Sequence, residues 1–101
     1  MHRFIRWREA MQAAATPEVV TRVIREYVTT IPPEVLNLLP EECQRALKDS
    51  DVQSSAITIL HCELAYHGDP FVAEALHEIA HTYAAASMRI TRLTKPLATG
   101  V

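Results

Sequence analysis

Glycine, cysteine and aromatic residues are scarce in this chain of 101 residues. It contains two glycines and two cysteines, and aromatic residues make up 6 % of it. Alanine is abundant, and the β-branched residues fall in helical rather than alternating patterns, so an all-α fold is expected. Cys43 and Cys62 do not form a CxxC motif, and we expect both to be free thiols half buried on helices.

Long hydrophobic runs are absent as well. No stretch of about 18 consecutive apolar residues occurs, so no membrane span is expected. Arginines interrupt the first residues, which therefore lack the continuous apolar block of a signal peptide, and a cytoplasmic location is expected. Hydrophobic residues nevertheless make up 49 % of the chain, which is enough for a packed core.

Helical spacing of apolar residues continues through most of the chain. It predicts one all-α domain over residues 1–101, a small bundle of four to five helices with a C-terminal antiparallel helical hairpin. The predicted helical segments are 2–14, 17–30, 33–39, 40–48, 51–67 and 70–95, followed by a frayed tail at 96–101.

The longest predicted helix carries an apolar seam with heptad spacing. The seam consists of Val72, Leu76, Ile79, Tyr83, Ala86, Ile90, Leu93 and Leu97. This helix should be longer than its hairpin partner, so Ile90 and Leu93 need cover from the N-terminal helices or from a second protomer.

The preceding helix, 51–67, has clear boundary signals. Ser50 and Gln53 have capping-box spacing at its start, and Gly68 is expected to end it in the left-handed conformation. Its predicted inner face consists of Val52, Ala56, Ile59, Leu60 and Leu64. Glu63 falls within this apolar arc and therefore needs a partner, for which His67 or an arginine is expected.

The string HEIAH lies inside the long helix. Two histidines one turn apart can both bind zinc while the glutamate activates water, and HEIAH resembles the HExxH motif of zinc metallopeptidases over these five residues. The resemblance implies that His77 and His81 are ligands and that Glu78 is the base. Beyond His81 the chain has no further histidine or acidic residue, so a third ligand must come from upstream. The predicted hairpin brings His61 towards His77 and makes it the candidate.

The apolar seam favours a different interpretation of the same string. If Leu76 and Tyr83 point inward, the imidazoles of HEIAH point outward, and the motif is part of a solvated helix face. The favoured expectation is accordingly a protein without a cofactor, with zinc as the alternative.

Positive charge is concentrated at the two ends of the chain, although the net charge is −2. The basic residues there are Arg3, Arg6 and Arg8 at the start and Arg89, Arg92 and Lys95 at the end. The helix dipole favours cations at the C-terminal end, whereas the N-terminal three are available to pair with acidic residues in the same chain or in a second copy. Their mixture with Phe4 and Trp7 is also found in segments that bind nucleic acid, but snorkelling arginines on a core helix are favoured.

The proline-bounded segment 31–40 is rich in aliphatic residues. It is either an exposed docking patch or a plug for one end of the bundle. The candidate interaction surface consists of Val35, Leu36, Leu38, Leu39, Ile90 and Leu93. The favoured function is a non-enzymatic homodimeric interaction or adaptor module, with a zinc-dependent hydrolase and a nucleic-acid-binding regulator as alternatives. Nucleic acid and membrane are not expected partners.

Overall fold

The computed structural model describes residues 2–94, and their regular structure is entirely helical. The helices are α1 (His2–Ala13), α2 (Pro17–Thr29), α3 (Pro33–Leu38), α4 (Glu41–Lys48), α5 (Val52–Ala65) and α6 (Pro70–Thr94). The predicted all-α helical bundle is confirmed. The two short segments that begin at Pro33 and Glu41 form helices of their own, so the described part of the chain has six helices, whereas four to five were predicted. Lys95, Leu97 and the predicted tail lie outside the described residues, as does the side chain of Arg3.

Side-chain caps and prolines mark where several helices begin. Thr16 Oγ1 accepts a hydrogen bond from Val19 N at the start of α2, at 3.2 Å. At the start of α5, Asp51 Oδ1 accepts one from Ser54 N, also at 3.2 Å. The cap of α5 is therefore one residue later than the Ser50 capping box predicted.

The prediction of a left-handed Gly68 is wrong, because no glycine in the part of the chain that the structure describes has a positive φ. A Cβ atom at Gly68 would lie 2.7 Å from the hydroxyl oxygen of Tyr66. That hydroxyl accepts a hydrogen bond from Asp69 N at 3.0 Å. Glycine suits this position because the Tyr66 side chain closes over the turn.

The last two helices pack against each other in antiparallel orientation. Near the connection, Glu63 of α5 contacts His77 of α6. Towards the other end of α5, Gln53 Nε2 donates a hydrogen bond to Thr91 Oγ1 at 2.8 Å. Residues nearer the start of α5 therefore contact residues nearer the end of α6, as in an antiparallel pair. Helices α1, α2 and α3 also contact α6, which makes α6 the central helix of the bundle.

The predicted seam of α6 points into the core. Its buried members are Val72, Leu76, Ile79, Tyr83, Ala86 and Ile90, and Leu93 is half buried. Helix α1 covers the C-terminal part of α6, where Nε and Nη2 of Arg89 donate to the carbonyl oxygen of Ala14 at 3.2 and 2.8 Å. Cover for this part of α6 thus comes from the same chain.

The core contains two cysteine side chains. Cys43 and Cys62 are buried free thiols, and burial raises the pKa of Cys43 to about 12.

Across residues 2–94, none of the helices combines the length and the apolar character needed to cross a bilayer.

Tyr83 has a buried hydroxyl with no hydrogen-bond partner among residues 2–94. Burial raises the pKa of Tyr83 to about 12; Arg25 opposes the shift, and Cys43 adds to it. An unfolded tyrosine loses its proton at about pH 10, so alkali deprotonates the unfolded chain first. The stability that this difference contributes is fully present below about pH 10 and is lost as the pH rises towards 12.

We predict that Tyr83→Phe leaves the free energy of unfolding unchanged or raises it by up to about 1 kcal/mol at neutral pH, because it removes an unsatisfied buried group. Urea unfolding at about pH 8 and about pH 10.5 should also show a smaller loss of stability for the variant than for the wild type. Parallel losses in the two proteins would contradict the assignment of this alkaline sensitivity to Tyr83.

Candidate metal centre

Helices α5 and α6 bring Glu63, His77 and His81 together near the connection between them. His77 Nδ1 lies 2.5 Å from Glu63 Oε2. The two imidazole rings have their centroids 4.1 Å apart and are inclined at 47°. One donor atom from each of the three side chains lies within 4.8 Å of the other two. These residues therefore form a compact cluster with two nitrogen donors and one oxygen donor.

The position of the two histidines follows from the buried face of α6. His77 comes directly after the buried Leu76, and His81 comes directly after the buried Ala80. Since each step along a helix turns by about 100°, both imidazoles lie on the side of α6 that faces away from the seam, and His77 is close enough to α5 to contact Glu63. The side chains of His77 and His81 are exposed, as expected for residues that point away from the seam.

Glu63 reaches the cluster from the flank of α5. Its side chain is 20 % exposed, against 60 % for His77. A carboxylate so far removed from water is stabilised by a charged or hydrogen-bonding partner, and here the partner is His77 rather than His67. His61, the expected third ligand, is exposed and is not part of the cluster within the described chain. The residue that the hairpin places beside the two histidines is Glu63.

A groove of about 390 Å³ runs alongside the cluster. Tyr27, Ile31, Val35 and Phe71 contribute apolar surface to it, and Glu74, Glu78, His77 and His81 contribute polar surface. Glu63 does not line the groove, whereas both histidines do. Glu78 is half buried and faces the groove, on the next position of the helix after His77.

The donor set of the cluster fits zinc. Two imidazoles and one carboxylate are a ligand set of catalytic zinc sites, in which a fourth position remains for water or substrate. Zinc bonds of about 2.1 Å in a tetrahedral site place donor atoms about 3.4 Å apart. The donor atoms here lie within 4.8 Å of one another, and the exposed histidines have room to adjust.

Most of the candidate interaction surface is covered by packing within the chain. Leu39 and Ile90 are buried, and Val35, Leu36 and Leu93 are partly buried against the core. Leu38 is the exception, at 54 % exposed.

A different apolar surface lies on α5. Ile57, Leu60 and Leu64 are exposed, at 61, 45 and 71 %. The prediction that Leu60 and Leu64 belong to the inner face of this helix is wrong. The helix packs through a face centred on Ile59, and Leu60 and Leu64 lie about 100–140° away from it.

The N-terminal basic residues that the structure describes lie on the outside of α1. The guanidinium of Arg6 lies over the ring of Trp7, with its central carbon 5.4 Å from the ring centroid. Trp7 itself is buried and meets Tyr27 edge-on, with centroids 5.7 Å apart. Arg8 is exposed and faces α6 rather than an acidic segment.

Comparison of the chain with protein-family models, with curated proteins and with solved structures finds no match.

Proposed function

We propose that this protein binds a zinc ion through Glu63, His77 and His81 and uses it in a hydrolytic reaction with Glu78 as the general base. The observation that carries the proposal is the position of the Glu63 carboxylate beside both imidazoles of an HExxH string. The string alone supplies two ligands and a base. Glu63 supplies the third protein ligand, which such a site requires.

The electrostatics of the cluster support a cation at this position. Glu63 is mostly shielded from water, and its ion-pair partner His77 is an imidazole that is charged only when it is protonated. Neutral imidazole nitrogens and a carboxylate oxygen are zinc donors, and a zinc ion would use the same atoms that form the His77–Glu63 contact.

Glu78 is placed for a different task from that of the ligands. It follows His77 by one residue and therefore points about 100° away around the helix, towards the groove. A bound zinc ion polarises a substrate carbonyl and makes water more acidic. In the proposed reaction the Glu78 carboxylate accepts the proton of the attacking water and returns it to the leaving group. The apolar wall of the groove suits an ester or amide that carries an apolar side group.

We predict about one zinc ion per chain in wild-type protein reconstituted after EDTA treatment, and at least about tenfold weaker binding in His77→Ala, His81→Ala and Glu63→Gln. Each of these changes removes one donor from the set. Isothermal titration calorimetry and metal analysis measure the affinity and the stoichiometry.

His61→Ala and His67→Ala are matched controls, because both remove exposed histidines outside the cluster. They should bind zinc as the wild type does. Less than about 0.1 equivalent of zinc in the wild type, or an equal loss of affinity in the controls, would rule out this site.

For the chemical step, we predict that Glu78→Gln keeps zinc bound but lowers kcat by about 10²-fold or more, because the amide cannot accept the proton. The zinc-loaded protein is assayed with p-nitrophenyl acetate and with a pool of quenched fluorescent peptides. Glu74→Gln is the control, since it neutralises another carboxylate of the same groove. The hydrolase proposal fails if zinc-loaded wild type and zinc-loaded Glu78→Gln have the same rates.

Self-association through α5 is a second candidate function. It is supported by the exposed apolar stripe of Ile57, Leu60 and Leu64, whose spacing places all three on one side of the helix. Exposed apolar stripes of this kind commonly pack against a second protein surface, and a two-fold dimer would pair the stripe with its own copy. The protein would then act as the homodimeric interaction or adaptor module that its sequence favours.

We predict that the wild type is a dimer at micromolar concentration and that Leu64→Glu is a monomer, because a charge in the centre of an apolar contact would be desolvated without a partner. Light scattering over a concentration series measures the mass. Leu38→Glu is the control, because Leu38 is exposed on a different helix. A monomeric wild type throughout the series would refute the dimer.

A further inference from the structure

Basic residues from two distant parts of the chain lie beside one groove. Arg8 of α1 and Arg89 and Arg92 of α6 line one groove of about 350 Å³, together with His81. Gln12, Met11 and Met88 complete much of its remaining surface. The α1–α6 contact therefore gathers three guanidinium groups that are far apart in the sequence.

The groove contains no compensating acidic residue. None of its lining residues is an aspartate or a glutamate. The ion pairs Arg45–Glu41 and His77–Glu63 involve none of these arginines. Three positive charges thus share one groove on a chain whose net charge is −2.

The three arginines are not equally engaged by the fold. Arg89 is half buried and holds the carbonyl of Ala14, which is a structural contact. Arg8 and Arg92 are exposed, and the guanidinium of neither forms a hydrogen bond or an ion pair with the part of the chain that the structure describes. Their donor groups are available to a ligand.

Helix electrostatics explain only part of this arrangement. The dipole of α6 favours cations in its last turns, where Arg92 lies. It gives no reason for Arg8, which lies before the last turn of α1 and adds like-charge repulsion to the groove. An anion between the guanidiniums would turn that repulsion into attraction.

We propose that this groove binds the phosphoryl group of a small phosphorylated ligand through Arg8 and Arg92. A guanidinium group donates two parallel N–H hydrogen bonds to phosphate oxygens. A phosphoryl group with two negative charges can bind more than one guanidinium. Met88, which is 63 % exposed, offers apolar surface for the rest of the ligand. The inference goes beyond the zinc hydrolase and does not rest on it. His81 lines this groove as well as the groove beside Glu78, so a bound ligand would lie next to the cluster of Glu63, His77 and His81.

The test is a titration of the full chain, treated with EDTA, with phenyl phosphate at constant ionic strength. We expect saturable binding of about one ligand per chain, with a shift of the His81 ring resonances in NMR spectra. Arg8→Gln and Arg92→Gln should each weaken binding about tenfold, the loss of one charge-assisted contact. Arg92→Lys should recover part of it, because it restores the charge without the paired donors. Arg22→Gln is the control, since Arg22 is exposed on α2 and does not line the groove.

Three results would overturn the proposal. One is the absence of saturable binding by the wild type. Another is an equal loss of affinity in Arg22→Gln, which would indicate a general effect of net charge. The third is tight, strongly salt-dependent binding of duplex DNA without binding of phenyl phosphate, which would assign the arginines to nucleic acid instead. Because zinc is removed beforehand, a failure of the metal site does not affect the outcome.

Discussion

Burial of one face of α6 is the constraint on which the rest of this structure depends. Leu76 and Tyr83 are almost completely buried, and other helices pack around the same face. A rotation of α6 by a single residue, about 100°, would expose these side chains and force charged groups into the core. The packing energy of the seam therefore holds His77 and His81 on the side of α6 that faces away from the core. The chemistry proposed for them depends on this rotational setting.

The edges between helices are where polar groups can meet without entering the core. Glu63 is mostly buried yet borders the solvent-facing His77, so its carboxylate has both a protected environment and an accessible partner. The hydroxyl of Tyr66 bonds to Asp69 in the connection and thereby fixes the chain just beyond Glu63. A short, well-bonded connection limits sliding of α5 along α6, which is what a site shared between two helices requires.

The inner face of α6 could be predicted from sequence because the helix is long and many of its apolar residues fall on the same side of it. The shorter α5 carries apolar residues on both its buried and its exposed face, so spacing does not separate the two, and the prediction for Leu60 and Leu64 is wrong. Periodicity also carries no information about register between helices. The register of α5 against α6 depends on the turn at Tyr66 and Gly68. Gly68 does not adopt the predicted left-handed conformation there, and the Tyr66 side chain lies close to it instead. That is why sequence reasoning selected His61 and missed the contact between Glu63 and His77.

The pairing of Glu63 with His77 has a consequence for stability as well as for function. A partly buried carboxylate favours a positive partner, and at this position the partner is either a proton on the imidazole or a metal ion. Both need the same nitrogen and oxygen atoms, so they exclude each other. Any ion that binds the folded chain at this site and not the unfolded chain also stabilises the fold, in proportion to the logarithm of its concentration relative to its dissociation constant. Since Glu63 and His77 belong to different helices, that stabilisation acts on the α5–α6 contact itself, the contact from which the cluster is built.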